Sequence, residues 1–473
     1  MVKQRDNVLE SKESKNWGYL LLLLSLGAQT MIVELTIPRL LAPTFGNTLF
    51  CWTAIIAVVL IALALGYSLG GRLAARKNAR ELIWILGAFC SFWVVGLSFV
   101  GQAITMSLAK LGLMYGPLVA AAILAALPAG CSAAVVPLVV QTRPESAAKS
   151  AGQCYAWSTV GSVGGVLLTG YVLLPFLGIS GAMLVGSGVV FAIILMNWQR
   201  LVGVAGILAV ILGGFASSSH DEYVLLDKSN GYHRIQVKTY PDRPNLRALF
   251  LDSTPEGVVE LGSSYPVMEY QRQISHIAQA VPEISHAFFI GGGSFSMPRH
   301  LKTISPEAVI DVVEIDPDVV KAAKEFLELS EECNVFIGDG RQVLRQQSVL
   351  YDLIVNDAFH GVRKIPFHLV TREFLRVVRN KLTPKGLYAV NALGHPVNSQ
   401  LVRSVLQTVM GEFEHVSLLY DARDEKQNMW ILASRSPISQ GQPPPANETK
   451  GRLLTDNNAP VEFLIAADLV QQF

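Results

Sequence analysis

Apolar residues run almost unbroken from Trp17 to about Ala216, in stretches near 17–37, 48–69, 82–104, 116–140, 154–177, 179–196 and 202–216. A helix needs about 20 such residues to cross the hydrocarbon core of a bilayer. The pattern predicts about seven spans, the last of them short. Six runs follow the first, so the first reads as a span and not as a cleaved signal peptide. From Asp221 the texture changes. Tyr223–Tyr240 and Arg247–Leu261 read as short strands, with turns at Asn230-Gly231 and Pro255-Glu256-Gly257, which predicts an antiparallel preface. Five strand-like runs follow: Ala287–Ile290, Val309–Ile315, Asn334–Ile337, Asp352–Asn356 and Leu387–Asn391. Helical patterns lie among them near Pro317–Leu327, Gln342–Gln347, Thr371–Lys381 and Ser399–Phe413. Such alternation predicts a mostly parallel sheet with helices on both faces. His415–Tyr420 and Asn428–Ser434 add a closing pair, and Gln440–Thr449, with three consecutive prolines, reads as a linker. The expected organisation is a polar tail (1–16), a transmembrane domain (17–217), an α/β domain (221–436), and a Pro-rich linker with a C-terminal tail (437–473).

Charge sharpens the division. Only 16% of the 473 residues are charged, against about 25% in soluble domains. The net charge of +1 hides two unlike halves: residues 1–216 carry 13 Lys/Arg and 6 Asp/Glu, whereas the remainder carries 25 and 31. This excludes a disordered chain and a nucleic-acid binder driven by overall basicity. Glu34 falls inside the first span, and its plainest reading is a partner for Arg39. Pairs of small residues, Gly66 with Gly70 and Gly161 with Gly165, are spaced for close helix contact. Four of the five cysteines lie in or beside spans, none at a metal-ligand spacing, so packing accounts for them and no metal site is expected. Positive residues cluster in the N-terminal tail (Lys3, Arg5, Lys12, Lys15) and after the second span (Arg72, Arg76, Lys77, Arg80). The positive-inside rule makes both cytoplasmic. Seven spans would then carry the second half across the membrane. A cytosolic metabolite as substrate calls instead for a cytoplasmic domain, so a multi-pass inner-membrane protein with the span count wrong by one is the expected resolution.

Candidate chemistry gathers at strand ends, where open α/β sheets bind ligands. The first core strand runs into Gly291-Gly292-Gly293-Ser294, a turn that lets backbone approach a ligand. The second ends at Glu314, 21 residues after Gly293, where an acid takes ribose hydroxyls; Asp316 is the better cap for the following helix. The third ends at Gly338-Asp339-Gly340, and Asp339 either bonds an adenine amino group or caps a helix. The fourth ends at Asp357, with His360 close behind. Ser296 stands where a dinucleotide fingerprint has its last glycine. The set therefore suits one nucleoside with a short tail, such as S-adenosylmethionine or its decarboxylated form.

With these motifs the sequence from about Gly231 to Ser434 resembles the spermidine synthases, whose members carry a Gly-rich turn, Glu-Ile-Asp, Gly-Asp-Gly and a catalytic Asp in this order. Tyr270-Gln271 looks like the family's Tyr-Gln pair. Further stretches resemble a bacterial group in which a multi-span domain is fused to a spermidine synthase-like domain. They are Arg39-Leu40-Leu41, Leu174-Pro175, Ile365-Pro366-Phe367-His368-Leu369 and Leu454-Thr455-Asp456. The resemblance implies a multi-span helical domain followed by a Rossmann-like, class I methyltransferase-like domain with a small N-terminal β preface. It also implies a nucleoside site at Gly291, Gly292, Gly293, Ser294, Glu314, Asp339 and Gly340, and catalysis by Asp357 and Tyr270. His233, Gln271 and His360 would line the acceptor side. There would be no prosthetic group, a small amine as co-substrate, a bilayer as partner, no nucleic acid, and a possible homodimer.

Two departures bear on chemistry. Ser294 replaces an acid that in aminopropyltransferases faces the donor's amine, and His360 is nearest to the place of a second carboxylate after Asp357. Polyamines are multiply charged, and a buried charge without a counter-charge is costly. Three readings follow: aminopropyl transfer to an amine; a lyase in which the carboxylate of intact S-adenosylmethionine attacks its own side chain to give homoserine lactone, with methyl transfer as a variant; and a non-catalytic nucleoside-binding membrane sensor or transporter.

Overall fold

The computed structural model describes residues 2–46, 48–76, 78–198, 200–216, 222–230, 232, 234–252, 254–358, 366–420, 428–445 and 451–470. The chain divides into two compact units, Met1–His220 and Asp221–Phe473.

The first unit is helical: α1 (Val2–Phe45), α2 (Leu49–Leu73), α3 (Ala79–Ser107), α4 (Gly112–Thr142), α5 (Ala147–Leu168), α6 (Leu174–Asn197) and α7 (Arg200–Ala216). Five stretches are long and apolar enough to cross a membrane: Trp17–Phe45, Leu49–Leu73, Ala79–Ser107, Ala109–Thr142 and Ala147–Asn197. The last is 51 residues long and is not one rod. A π-turn at Thr169–Leu173 joins α5 to α6, and Gly178 then breaks α6 with a φ of 67°.

Contacts at small residues give the direction of every helix. Gly161 and Gly165 of α5 lie against the backbone at Leu24 and Ala28, so α5 runs parallel to α1. Gly186 of α6 meets Gln29 and Ile32 while Asn197 meets Gly18, so the chain reverses at Gly178. Gly87 packs on Leu22 and Gly101 on Leu40, which makes α3 parallel to α1; Gly66 and Gly70 lie on Gly130 and Ala134, which makes α2 parallel to α4. Ser132 of α4 donates to Leu26 O, and Gly116 meets Phe45, so α4 is antiparallel to α1. Gly203, Gly206 and Gly213 of α7 meet Leu195, Phe191 and Leu184 in turn, so α7 runs against α6. Seven segments therefore alternate in direction among the described residues. The seven helical segments match the seven apolar runs of the sequence in number, with Gly178 making a hairpin of the longest stretch; by length and composition five stretches are able to cross a membrane, and α7 is shorter. Gln29 ties three of these helices together, donating to Ser187 Oγ at 2.9 Å and accepting from Ser91 Oγ at 3.2 Å, as small-residue bundles do where polar groups cannot reach water.

The second unit opens with a four-stranded antiparallel sheet, β1 (Val224–Ser229), β2 (Arg234–Tyr240), β3 (Arg243–Leu251) and β4 (Thr254–Glu260). Two short helices, α8 (Glu269–Arg272) and α9 (Ile274–Gln279), lead into the main domain. There β5 (His286–Ile290), α10 (Ser296–Ile304), β6 (Val309–Glu314), α11 (Pro317–Phe326), β7 (Asn334–Ile337), α12 (Gly340–Gln346) and β8 (Tyr351–Asn356) alternate. After them come α13 (Arg372–Lys381), β9 (Leu382–Leu393), α14 (Gln400–Met410), β10 (His415–Leu419), β11 (Asn428–Ser434) and α15 (Val461–Val470). The sheet order is β10-β11-β9-β8-β5-β6-β7, with β5 to β9 parallel and β10 and β11 antiparallel. This is the Rossmann-like arrangement expected. Its strand order reverses between β5 and β8, where ligands enter such sheets. The core is made of strand interiors such as Phe288, Phe289, Val312, Leu353 and Val355, none more than 1% exposed.

Two elements depart from the sequence reading. Residues 296–304, after three glycines and with Pro298 inside, form helix α10. The C-terminal segment is no loose tail: α15 packs on α14, and Asp468 caps that helix, accepting from Ser399 Oγ at 2.6 Å and Gln400 N at 2.6 Å. Upstream of α15, Asp456 accepts both Arg341 Nη1 and Arg341 Nη2 at 2.8 Å. A helix N-terminus with unpaired N–H groups favours a carboxylate, and Asp468, which supplies it to α14, lies 69 residues from Ser399 in sequence.

Candidate active site

Four strand ends lie side by side. Gly291 N donates to Val313 O, Asp357 N to Ile290 O, and Gly338 N to Glu314 O, at 2.9, 2.9 and 3.0 Å. These bonds extend the parallel ladder one residue past each strand and bring the predicted residues to one edge. Gly291 turns with φ of 97°, and a Cβ there would stand 2.6 Å from Asp357 O. Glycine is required on both counts.

Glu314, 7% exposed, reaches back to the turn. Its Oε2 accepts from Gly292 N at 2.9 Å and Gly293 N at 3.3 Å, and its Oε1 accepts from Asp316 N at 3.0 Å. Asp316 caps α11 by accepting Asp318 N at 2.9 Å, the role its position before Pro317 suggested. Asp339 is bonded at both oxygens: Oδ1 accepts Gln342 N at 2.9 Å as the cap of α12, and Oδ2 pairs with His368 Nε2 at 2.7 Å. His368 was quoted only as part of a motif. Its pairing with the third strand end could not be read from a separation of 29 residues. Gly340 packs against Ile290, the last residue of β5.

Asp357 faces a different set. Asn391 of β9 donates Nδ2 to its Oδ1 at 2.7 Å. Burial drives its carboxyl up to about 7; the Asn391 bond opposes this and the charge of Glu256 adds to it. Tyr270 is raised well above its ordinary range, first by burial and then by Asp357 and Glu256. Trp430 of β11 holds the Tyr270 backbone through Nε1 to Tyr270 O at 3.1 Å, while Tyr270 Oη and Gln271 Nε2 both donate to Glu256 O, at 3.2 and 3.3 Å. Ser294, 2% exposed, shares a hydrogen bond with Ser296 at 2.8 Å and packs its hydroxyl on Gly257 of β4. Gln271 Oε1 and Asn391 Oδ1 are buried acceptors that receive no hydrogen bond. His233 and His360 lie outside the described residues. Glu256 was named in the sequence only as part of a turn.

Asp357, Tyr270 and the charge of Glu256 thus bear on one side of the glycine turn, where a proton can be accepted, and Glu314 holds the turn from the other. No cluster of metal-ligating side chains occurs among the described residues.

Residues 267–437 match the spermine/spermidine synthase domain. A polyamine aminopropyltransferase from Vibrio vulnificus is 33% identical over 137 residues, 28% of this chain and 46% of that protein. One from Oceanobacillus iheyensis is 24% identical over 489 residues, 93% of this chain and 90% of that protein. Among solved structures, a probable spermidine synthase from Corynebacterium glutamicum aligns over 45% of this chain and 80% of its own, with 22% identity and a TM-score of 0.41. The chain spans about half the length, or less, of the first curated relatives it matches.

Proposed function

We propose, from the premise that the chain belongs to the spermidine synthase-like family, that it transfers an aminopropyl group from decarboxylated S-adenosylmethionine to an amine. The observation that carries this reading is Asp357, a half-buried carboxyl poised near neutrality against the glycine turn. The amine lone pair attacks the propyl carbon attached to the sulfonium. A C–N bond forms, the C–S bond breaks, and its electron pair leaves on sulfur as the neutral thioether methylthioadenosine. The proton shed by nitrogen passes to ionised Asp357. Holding donor and amine in line supplies much of the acceleration, and a placed base adds ~10²–10⁴-fold. Tyr270 keeps its proton and serves as a hydrogen-bond partner for the incoming amine. The buried acceptors Gln271 Oε1 and Asn391 Oδ1 favour a ligand rich in N–H donors over one presenting a carboxylate.

The test is methylthioadenosine release by the full chain. Product is expected from the decarboxylated donor only when an amine such as putrescine or spermidine is present. Product from intact S-adenosylmethionine alone would replace this reading with the lyase.

The first unit, on the same proposal, lies in a membrane. Of its 13 Lys/Arg, 11 fall in the N-terminal tail or at the turns on that end of the bundle, around Arg76, Arg143 and Arg200; only Arg39 and Lys110 fall toward the other. The positive-inside rule makes the charged end cytoplasmic. Because α7 runs in the direction of α1, a crossing α7 would carry the second unit to the opposite side, away from a cytosolic donor. The aminopropyl-transfer reading therefore expects a green fluorescent protein fused after Phe473 to be bright in cells and an alkaline phosphatase fusion inactive, with α7, a shorter apolar helix, not completing a crossing. Active phosphatase would place the second unit beyond the cytosol and count against a cytosolic donor.

A further inference from the structure

The acids that the sequence lacks at 294 and 360 leave the cationic co-substrate short of counter-charge, and β4 offers a replacement. Leu249 pairs with Gly257 but Phe250 pairs with Pro255, so Glu256 is an extra residue in β4, without a partner position on β3. Such a bulge re-aims side chains, and bulges gather beside active sites. This one lies at the site. The Glu256 carbonyl is held by Tyr270 and Gln271, and its neighbour Gly257 is covered by the Ser294 hydroxyl. A Cβ at 257 would collide with the Ser294 hydroxyl, so glycine at 257 goes with the side chain at 294. The acid then stands one residue away on the bulge.

Through-space effects agree. The Glu256 charge bears on both Asp357 and Tyr270. A second kind of observation points to a ligand: Gln271, 3% exposed, and Asn391, 5% exposed, each present a buried oxygen that accepts nothing. Their amide nitrogens are already spent on Tyr270 and Asp357. A protonated amine supplies donors to such oxygens; a carboxylate or phosphate does not.

We propose that Glu256, presented by the bulge in β4, is the counter-ion for the cationic amine and forms with Asp357 a two-carboxylate acceptor site; this rests on the aminopropyl-transfer reading. Glu256 faces the charge of the amine, and Asp357 accepts the proton. The groups that bear on Asp357 are Glu256 from β4, Tyr270 from α8 and the neutral amide of Asn391 from β9.

The experiment compares the full-length wild type with Glu256→Gln and Glu256→Asp, using decarboxylated S-adenosylmethionine with putrescine. Glu256→Gln is expected to raise the amine KM at least about tenfold, the scale of a charge-assisted bond, and to lower kcat much less. It is also expected to move the acid limb of the pH–rate profile to lower pH, since the negative neighbour that lifts Asp357 is gone. Methylthioadenosine affinity and melting temperature should stay as in the wild type, and Glu256→Asp should fall between. An amine KM and acid limb matching the wild type in Glu256→Gln would overturn the assignment. So would a collapse of kcat at unchanged KM, which would make Glu256 the base. A wild type that turns over no amine removes the transfer reading and this role with it, and is told apart because no variant comparison is then needed.

Discussion

Asp357→Asn is expected to cut methylthioadenosine formation by ~10²–10⁴-fold, the range of a placed general base, while nucleoside binding stays near the wild-type level. The amide keeps the shape of the side chain and a bond to Asn391 but cannot take a proton. In the wild type, kcat/KM should rise with pH through about 7, because only ionised Asp357 accepts the proton and burial holds its carboxyl near that value. Stability should move the other way. The folded-state value lies above the ordinary one near 4, so the protonated carboxyl favours folding at low pH. That advantage fades as pH rises towards about 7 and beyond, where an ionised group sits buried. Asp357→Asn should therefore melt higher than the wild type at pH 8 and alike at pH 4. Normal turnover in the variant would remove Asp357 from the chemistry. Equal melting at both pH values would mean that the carboxylate pays no burial cost.

The site was legible in proportion to how local its causes are. The parallel sheet follows from the spacing of apolar runs such as Ala287–Ile290 and Val309–Ile315, and the cap at Asp316 from Pro317 beside it. Glu314 could be nominated by distance from a glycine turn, since a βα unit has nearly fixed length. Glu256 could not, because a bulge is a mismatch between two strands and neither strand carries it alone. His368 and Asp339 are 29 residues apart in sequence, and Asp468 is 69 from the Ser399 that it holds; no periodicity encodes either. No helical pattern was assigned to residues 296–304, which follow the glycine turn and carry Pro298, yet the turn feeds directly into α10. In the helical unit the apolar runs 154–177 and 179–196 part at Gly178, and there a φ of 67° reverses the chain.

These causes also explain why one edge can be nucleoside-like and amine-like at once. The main sheet sets Gly291, Glu314 and Asp339 by its parallel register, which fixes them relative to one another. The preface sheet sets Glu256 by a bulge, which can shift without disturbing that register. On the proposed reading, donor recognition is tied to the fold, whereas the acceptor side depends on β4 and on Gly257, which the Ser294 hydroxyl covers.

The largest effect on the donor side is expected from Glu314→Gln. Three backbone N–H groups converge on this one carboxylate. An amide has a single acceptor oxygen, so its NH₂ would face either Asp316 N or the turn, donor against donor. A buried donor left unmade costs ~1–3 kcal/mol, and the loss falls on the position of Gly292 and Gly293 in the turn. Methylthioadenosine affinity is expected to drop by about 5- to 150-fold, by conversion of that energy. The ribose role can be separated from the turn-holding role. A carboxylate has about four acceptor sites, three of which are taken here, which leaves one for a ribose hydroxyl. Wild-type protein should then bind methylthioadenosine at least about tenfold tighter than its 2′-deoxy analogue, a discrimination of ~1.4 kcal/mol within the range of a hydrogen bond to a charged group. Glu314→Gln should bind both weakly and nearly alike. If calorimetry finds the wild type indifferent to the 2′-hydroxyl, Glu314 does nothing for ribose and serves only to pin the glycine turn to the end of β6.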